Sequence, residues 1–243
     1  MKTKTIGTLG VAAAGLLCSA GLAMATTTDT LADLVANGGS LSIGDKVFSG
    51  FSYVGSGLTS FNAAGISVAA SQVGAVDYLT WFGNISLLAQ SSGTALITGD
   101  LELNYVVTAT AGTINEIDQN YTGGTSGDGL GQISIAETVT TPGGGGAIVG
   151  STYLNTTYTS EPQVNLNSSQ PYINPPQRVL DVTKDISLGA ILGPSGGTEL
   201  VSVSVIQQSF HQTTTTVPDG GMTLSLLGLG LAGCGMLRRK QSK

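Results

Sequence analysis

From Asp100 to Ala109 the chain alternates between two chemical characters with a period of two. Leu101, Leu103, Tyr105, Val107 and Ala109 fall on one side, and Asp100, Glu102, Asn104, Val106 and Thr108 on the other. Successive side chains of a strand point to opposite faces, so this pattern builds a β-strand with one face in a core and one in water. Val201, Val203 and Val205 alternate with Ser202 and Ser204 in the same way. Further strands are expected at Val47–Tyr53, Ile66–Ala70, Tyr78–Leu88, Gln132–Val139, Ala147–Thr157 and Val179–Leu188. Turn chemistry separates them at Gly123-Gly124, Gly127-Asp128-Gly129, Pro142 through Gly146, Pro171, Pro175-Pro176 and Pro194 through Gly197. One helix is expected, Leu31 to Ala36, with Thr30 as N-cap, Asp33 at the third position, Leu31, Leu34 and Val35 on one face, and Asn37-Gly38 as its stop. No helix-length crossover separates the strands, which argues against a parallel α/β sheet. The expected fold is all-β, an antiparallel β-sandwich or jelly-roll-like domain.

The two ends read differently from this domain. Lys2 and Lys4 form a positive start, Ile6 to Leu22 is apolar, and Ala23-Met24-Ala25 supplies small residues at the positions a signal peptidase reads. Residues 1–25 are therefore expected to be a signal peptide with a helical apolar segment, cut after Ala25 so that the mature chain begins at Thr26. Cys18 follows Leu17, too large a neighbour for a lipidation site. At the other end a threonine linker, 213–216, leads into Val217-Pro218-Asp219-Gly220-Gly221, an apolar segment at 222–237, and Arg238-Arg239-Lys240. The basic stop keeps the last residues cytoplasmic and leaves the secreted domain, 26–212, outside the membrane. As a helix the apolar segment spans about 24 Å, short of the roughly 30 Å hydrocarbon core. Gly228, Gly230, Gly233 and Gly235 weaken it further, as suits a transient membrane helix.

In this order of linker, motif, apolar segment and basic stop, Val217 to Lys240 resembles the PEP-CTERM sorting signal, in a Val-Pro-Asp-Gly-Gly form. The resemblance implies handling by an exosortase-type membrane protease, removal of the segment after Pro218-Asp219, and transfer of the domain to the cell surface or a polysaccharide-rich extracellular (biofilm) matrix. Asp219-Gly220 stands where the commoner pattern has Glu-Pro, which leaves the cut position open. Gly220-Gly221 is also similar to the GlyGly-CTERM tail processed by a rhomboid-type protease, and an ordinary single-span anchor has the same three parts. Thr30 to Tyr53, and Asp181 to Gly189 with Val201 to Gln212, resemble segments of PEP-CTERM proteins, a likeness that carries over no activity.

Charge and reactive residues narrow the function. Thr26 to Val217 holds fourteen Asp and Glu against Lys46, Arg178 and Lys184, a formal charge of −11. Three scattered cations cannot displace the counterions of a phosphate backbone, so nucleic acid is not an expected partner. Both cysteines, Cys18 and Cys234, lie in the terminal segments, so the domain has neither a disulfide nor a cysteine metal site. His211 is the only histidine and is read as a solvated strand-end residue. Asp100 with Glu102, and Glu116 with Asp118, place carboxylates on one strand face as a glycosidase pair would, but alternation with Leu or Ile is what a half-exposed strand shows anyway. No catalytic residue, cofactor or metal ligand is assigned. Asp118, Asn120, Thr122, Gly123 and Ser126 begin like a calcium loop, yet Gly129 stands where a bidentate Glu belongs. Tyr53, Tyr78, Trp81 and Phe82 are the aromatics available to stack on sugar, with Trp81 read as core. The expected role is a non-enzymatic surface or matrix protein, with a carbohydrate-binding module, calcium-assisted or not, as the alternative.

Overall fold

A computed structural model describes residues 26–90, 96–143, 146–159, 167–169, 172–193 and 196–213. Ala23, Ala25, Val217, Pro218, Asp219, Gly220, Gly221, Arg238 and Arg239 lie outside them, as do Pro171 and the expected terminal helices. Thr26 opens the first strand, β1 (Thr26–Thr30). The helix α1 (Leu31–Ala36) follows directly, capped as its sequence requires: the Thr30 hydroxyl accepts from the Asp33 amide at 3.1 Å and donates to the Asp33 carboxylate at 2.6 Å. Leu31 and Leu34 are buried while Val35 is 36% exposed, so the apolar face is narrower than its spacing implied. In so short a helix only the i, i+3 pair reaches the core. Gly38, at φ +60°, turns the chain away from it.

The strands that follow are β2 (Leu41–Ile43), β3 (Lys46–Ser56), β4 (Ser67–Val73), β5 (Val76–Gln90), β6 (Leu96–Ala109) and β7 (Thr113–Gly127). After them come β8 (Leu130–Thr140), β9 (Ile148–Thr159), β10 (Asn167–Ser169), β11 (Tyr172–Gln177), β12 (Val179–Ile191) and β13 (Thr198–Thr213). One sheet runs β1-β4-β5-β13-β7-β10, with β11 also on β7, and the other runs β2-β3-β6-β12-β8-β9. All their pairings are antiparallel. From β5 onward the chain crosses to the other sheet at each connection except β8 to β9 and β10 to β11. That gives the spatial order 5-13-7-10 on one side and 6-12-8-9 on the other, the interlocked Greek keys of a jelly roll. β10 and β11 share one position of the roll, and β1 to β4 widen both sheets at one edge.

The alternation of Asp100 to Ala109 is realised in β6, where Leu101, Leu103, Tyr105, Val107 and Ala109 are all buried. Three local expectations are corrected. Gly123-Gly124 is not a turn but lies inside β7; a Cβ on Gly123 would meet the Ser202 carbonyl at 2.6 Å and Ile133 at 2.9 Å, so glycine serves close packing there. Pro175-Pro176 lies within β11, a strand at the sheet margin where missing amide donors cost little. Val205 does not continue the buried row of Val201 and Val203: a register shift between Val203 and Val205 carries the inward row on to Ile206 and Phe210.

The gap between the sheets also holds polar groups. Lys184 on β12 and Glu137 on β8 are register partners and both fully buried, with Nζ and Oε2 2.7 Å apart. Lys184 Nζ also donates to Gln119 Oε1 on β7 at 2.7 Å. Gln208 on β13 donates to the same Glu137 oxygen, and Tyr105 on β6 donates to Gln208. The cluster thus ties the two sheets together. A second lysine, Lys46, is buried nearer one end, between Asp45 at 2.6 Å and Asp77 at 3.2 Å.

Candidate functional site

Burial of Lys46 and Lys184 leaves Arg178 as the domain's only exposed lysine or arginine, and its guanidinium is bound to the Thr110 carbonyl at 2.9 Å. The outer faces are therefore anionic or neutral. Each carries one grouping with recognisable chemistry.

On the outside of the first sheet, β7 and β13 run in register with Glu116 opposite His211 and Asp118 opposite Ser209. His211 is half-buried and its Nε2 lies 2.9 Å from Asp118 Oδ2, so the histidine is held by a carboxylate and is not simply solvated. Ser209 Oγ lies 3.1 Å from the same Asp118 oxygen and 3.3 Å from the same ring nitrogen. A catalytic relay needs the acid on one imidazole nitrogen and the hydroxyl on the other. Here both meet one nitrogen, and no proton can be passed through the ring from Ser209 to Asp118. Glu116, Asp118 and His211 each offer one ligand atom, all within 4.8 Å of one another, a donor set that divalent metals accept. The calcium-like run beginning at Asp118 does not wrap around a centre. It is extended through Gly127, so Asp118, Asn120 and Thr122 are spread along one strand face and cannot converge.

On the outside of the second sheet lies a shallow groove of about 250 Å³. Its floor is Gly189, paired with Thr98 on one side and Gln132 on the other; the absent side chain makes the hollow. Tyr153, 60% exposed, stands at one wall, with Ser134 and Ser187 between. Gln132 donates to Asn155 at 3.0 Å, and Ser187 is hydrogen-bonded to Asp100. Asp100, Glu102 and Asp185 form an acidic border: burial first, then the charges of Asp100 and Glu102, raise the Asp185 pKa from its ordinary value.

Of the aromatics singled out in the sequence, Trp81 is buried against Tyr105, with ring centroids 5.4 Å apart, and Tyr53 packs edge-on to Phe61. Phe82 is 46% exposed on the first sheet. Tyr153, the ring that lines the groove, was missed, because Ala147 to Thr157 shows its alternation only weakly.

Residues 216–240 match the VPDSG-CTERM motif, a PEP-CTERM-like sorting tail. A comparison with curated proteins finds no match. Among solved structures, the chain is similar to TmCBM61 in complex with beta-1,4-galactotriose, at 10% identity over 67% of this chain and 89% of that one, with a TM-score of 0.30. It is similar also to a structure described under carbohydrate-binding modules of the beta-sandwich super family, at 15% identity over 65% and 56% of the chains, with a TM-score of 0.29. The enzymatically active domain of a bacteriophage tailspike protein matches at 7% identity over 64% and 19%, with a TM-score of 0.26. At such scores none of them bears on ligand or activity. Among the described residues no helix is long and apolar enough to cross a membrane.

Proposed function

We propose that this chain is an exported, non-enzymatic surface or matrix protein whose jelly roll is delivered to the envelope exterior by its C-terminal tail and freed there by an exosortase-type membrane protease. The observation that carries the reading is the sorting motif at residues 216–240, which follows within a few residues of the last strand, β13. The domain is complete before the tail begins, so cutting the tail leaves the roll whole. The signal peptide, cut between Ala25 and Thr26, provides entry to the export route. Mass spectrometry of surface material from a host carrying an exosortase is expected to find chains beginning at Thr26 and lacking 222–243. Replacing Pro218, Asp219 and Gly220 with alanine is expected to leave a full-length species in the membrane fraction. Native surface chains that retain Arg238 and Arg239 would reduce the tail to a plain anchor.

The groove beside Tyr153 favours a second reading, polysaccharide binding. An exposed ring flanked by serine and amide groups matches the apolar faces and hydroxyls of a sugar. The acidic border selects against anionic polymers, so the ligand class is a neutral glycan. Affinity electrophoresis in neutral and uronic-acid polysaccharides tests it: retardation in a neutral gel, lost in Tyr153→Ala, is the expected result. Equal mobility in every gel would remove this reading and leave the sorting assignment untouched.

A further inference from the structure

The buried cluster between the sheets does more than neutralise charge. Lys184 Nζ lies 2.7 Å from Gln119 Oε1, so a C=O bond length of about 1.2 Å places the amide carbon within about 4 Å of the amine, close to attack distance. Glu137 Oε2 lies 2.7 Å from the same Nζ and is held by Gln208, itself fixed by Tyr105. Two atoms of this cluster have no hydrogen-bond partner among the described residues: Gln119 Nε2 and Glu137 Oε1. Orphaned polar atoms in a closed core are costly, and here they are a carboxamide nitrogen and the free oxygen of the adjoining carboxyl.

We propose that Lys184 and Gln119 join in an isopeptide bond, with Glu137 moving the protons. The Lys184 amine, its proton passed to Glu137, attacks the Gln119 amide carbon and forms the new C–N bond. Glu137 gives a proton to the departing Gln119 nitrogen and takes one from the attacking nitrogen. The original C–N bond breaks, ammonia leaves, and a secondary amide remains. Atoms and charge balance without any oxidant, reductant or added cofactor. Burial favours the neutral forms that the step requires: it lowers the Lys184 pKa and raises that of Glu137, against the opposing pull each exerts on the other. The surroundings exclude water, so the amide meets the amine and not hydrolysis.

The product links β7 in one sheet to β12 in the other, across 65 positions of sequence. This is a covalent staple in a domain that has no cysteine for a disulfide. It stands independently of the sorting and glycan readings.

Intact mass and peptide mapping of the folded, exported chain test it. The expected mass is lower than the sequence mass by one ammonia, with tryptic digestion failing after Lys184 and yielding a branched peptide that contains Lys184 and Gln119. In Glu137→Gln the expected product is unlinked and has the sequence mass. Folded wild-type chain with a free Lys184 amine and an intact Gln119 amide would overturn the proposal whether or not any variant folds. Equally complete linkage in Glu137→Gln would overturn the role of Glu137.

Discussion

Two lysines are buried in this domain, and they are buried differently. Lys46 sits toward one end of the sandwich between two carboxylates, of which Asp45 is one-quarter exposed. Lys184 sits midway between the sheets with one carboxylate and one amide, and water reaches neither it nor Glu137. The first site has an outlet: its charges can be rehydrated by a small movement, and a second acid shares the load. The second has none. Charge at the rim is a solvated pair drawn inward, whereas the polar groups at the centre meet only because the two sheets closed over them. Removing a member should therefore cost little at one site and much at the other.

The largest effect is expected for Glu137→Leu, which strands Lys184 in the core and removes the group assigned to its chemistry. A loss of about 3–5 kcal/mol is expected in urea unfolding, the range for breaking a buried pair. Glu137→Leu with Lys184→Met is expected to recover only part of this, because the staple to Gln119 stays absent. Full recovery would mean that the cluster is an ion pair and nothing more. Lys46→Met is expected to cost less than Glu137→Leu, since Asp45 turns to solvent while Asp77, whose pKa burial raises, takes up a proton. A Lys46→Met loss equal to that of Glu137→Leu would erase the distinction between rim and centre.

The smallest effect concerns pH and the outer face. The folded pKa of Asp185 is raised above its ordinary value, so between the two values the folded chain keeps a proton that the unfolded chain releases. Stability from this group is present below that window and declines as pH rises through it. Asp185→Asn is expected to flatten the slope of the unfolding midpoint against pH in the acid range. An unchanged slope would show that Asp100 and Glu102 do not repel it.

Much of the strand plan was legible in the sequence because burial on one face writes a period of two into the chain. β6, β8 and β12 were readable for that reason. β7 was not, since its glycines, which permit close sheet contact, look like turn signals in isolation. The central cluster did leave a trace. Lys184 falls in the same row as Val182 and Ile186, Glu137 with Ile135 and Val139, Gln119 with Ile117 and Tyr121, and Gln208 with Ile206 and Phe210. A polar residue at an inward position of four strands is a readable sign of a buried network, although pairing across 65 positions needs the topology. The Glu116–Asp118–His211 grouping depended on the register of β7 and β13, which no local pattern encodes.

The strand that carries the tail also decides how the protein bears a pull. β13 lies between β5 and β7, with a ladder of hydrogen bonds on each flank. Those bonds run perpendicular to the strand, so tension arriving from Thr213 is directed along it and loads both ladders in shear, many bonds together and not one after another. A hook fastened to an outermost strand would unzip. If the tail holds the chain at the membrane, as proposed, drag on the domain is met by a strand gripped on both flanks.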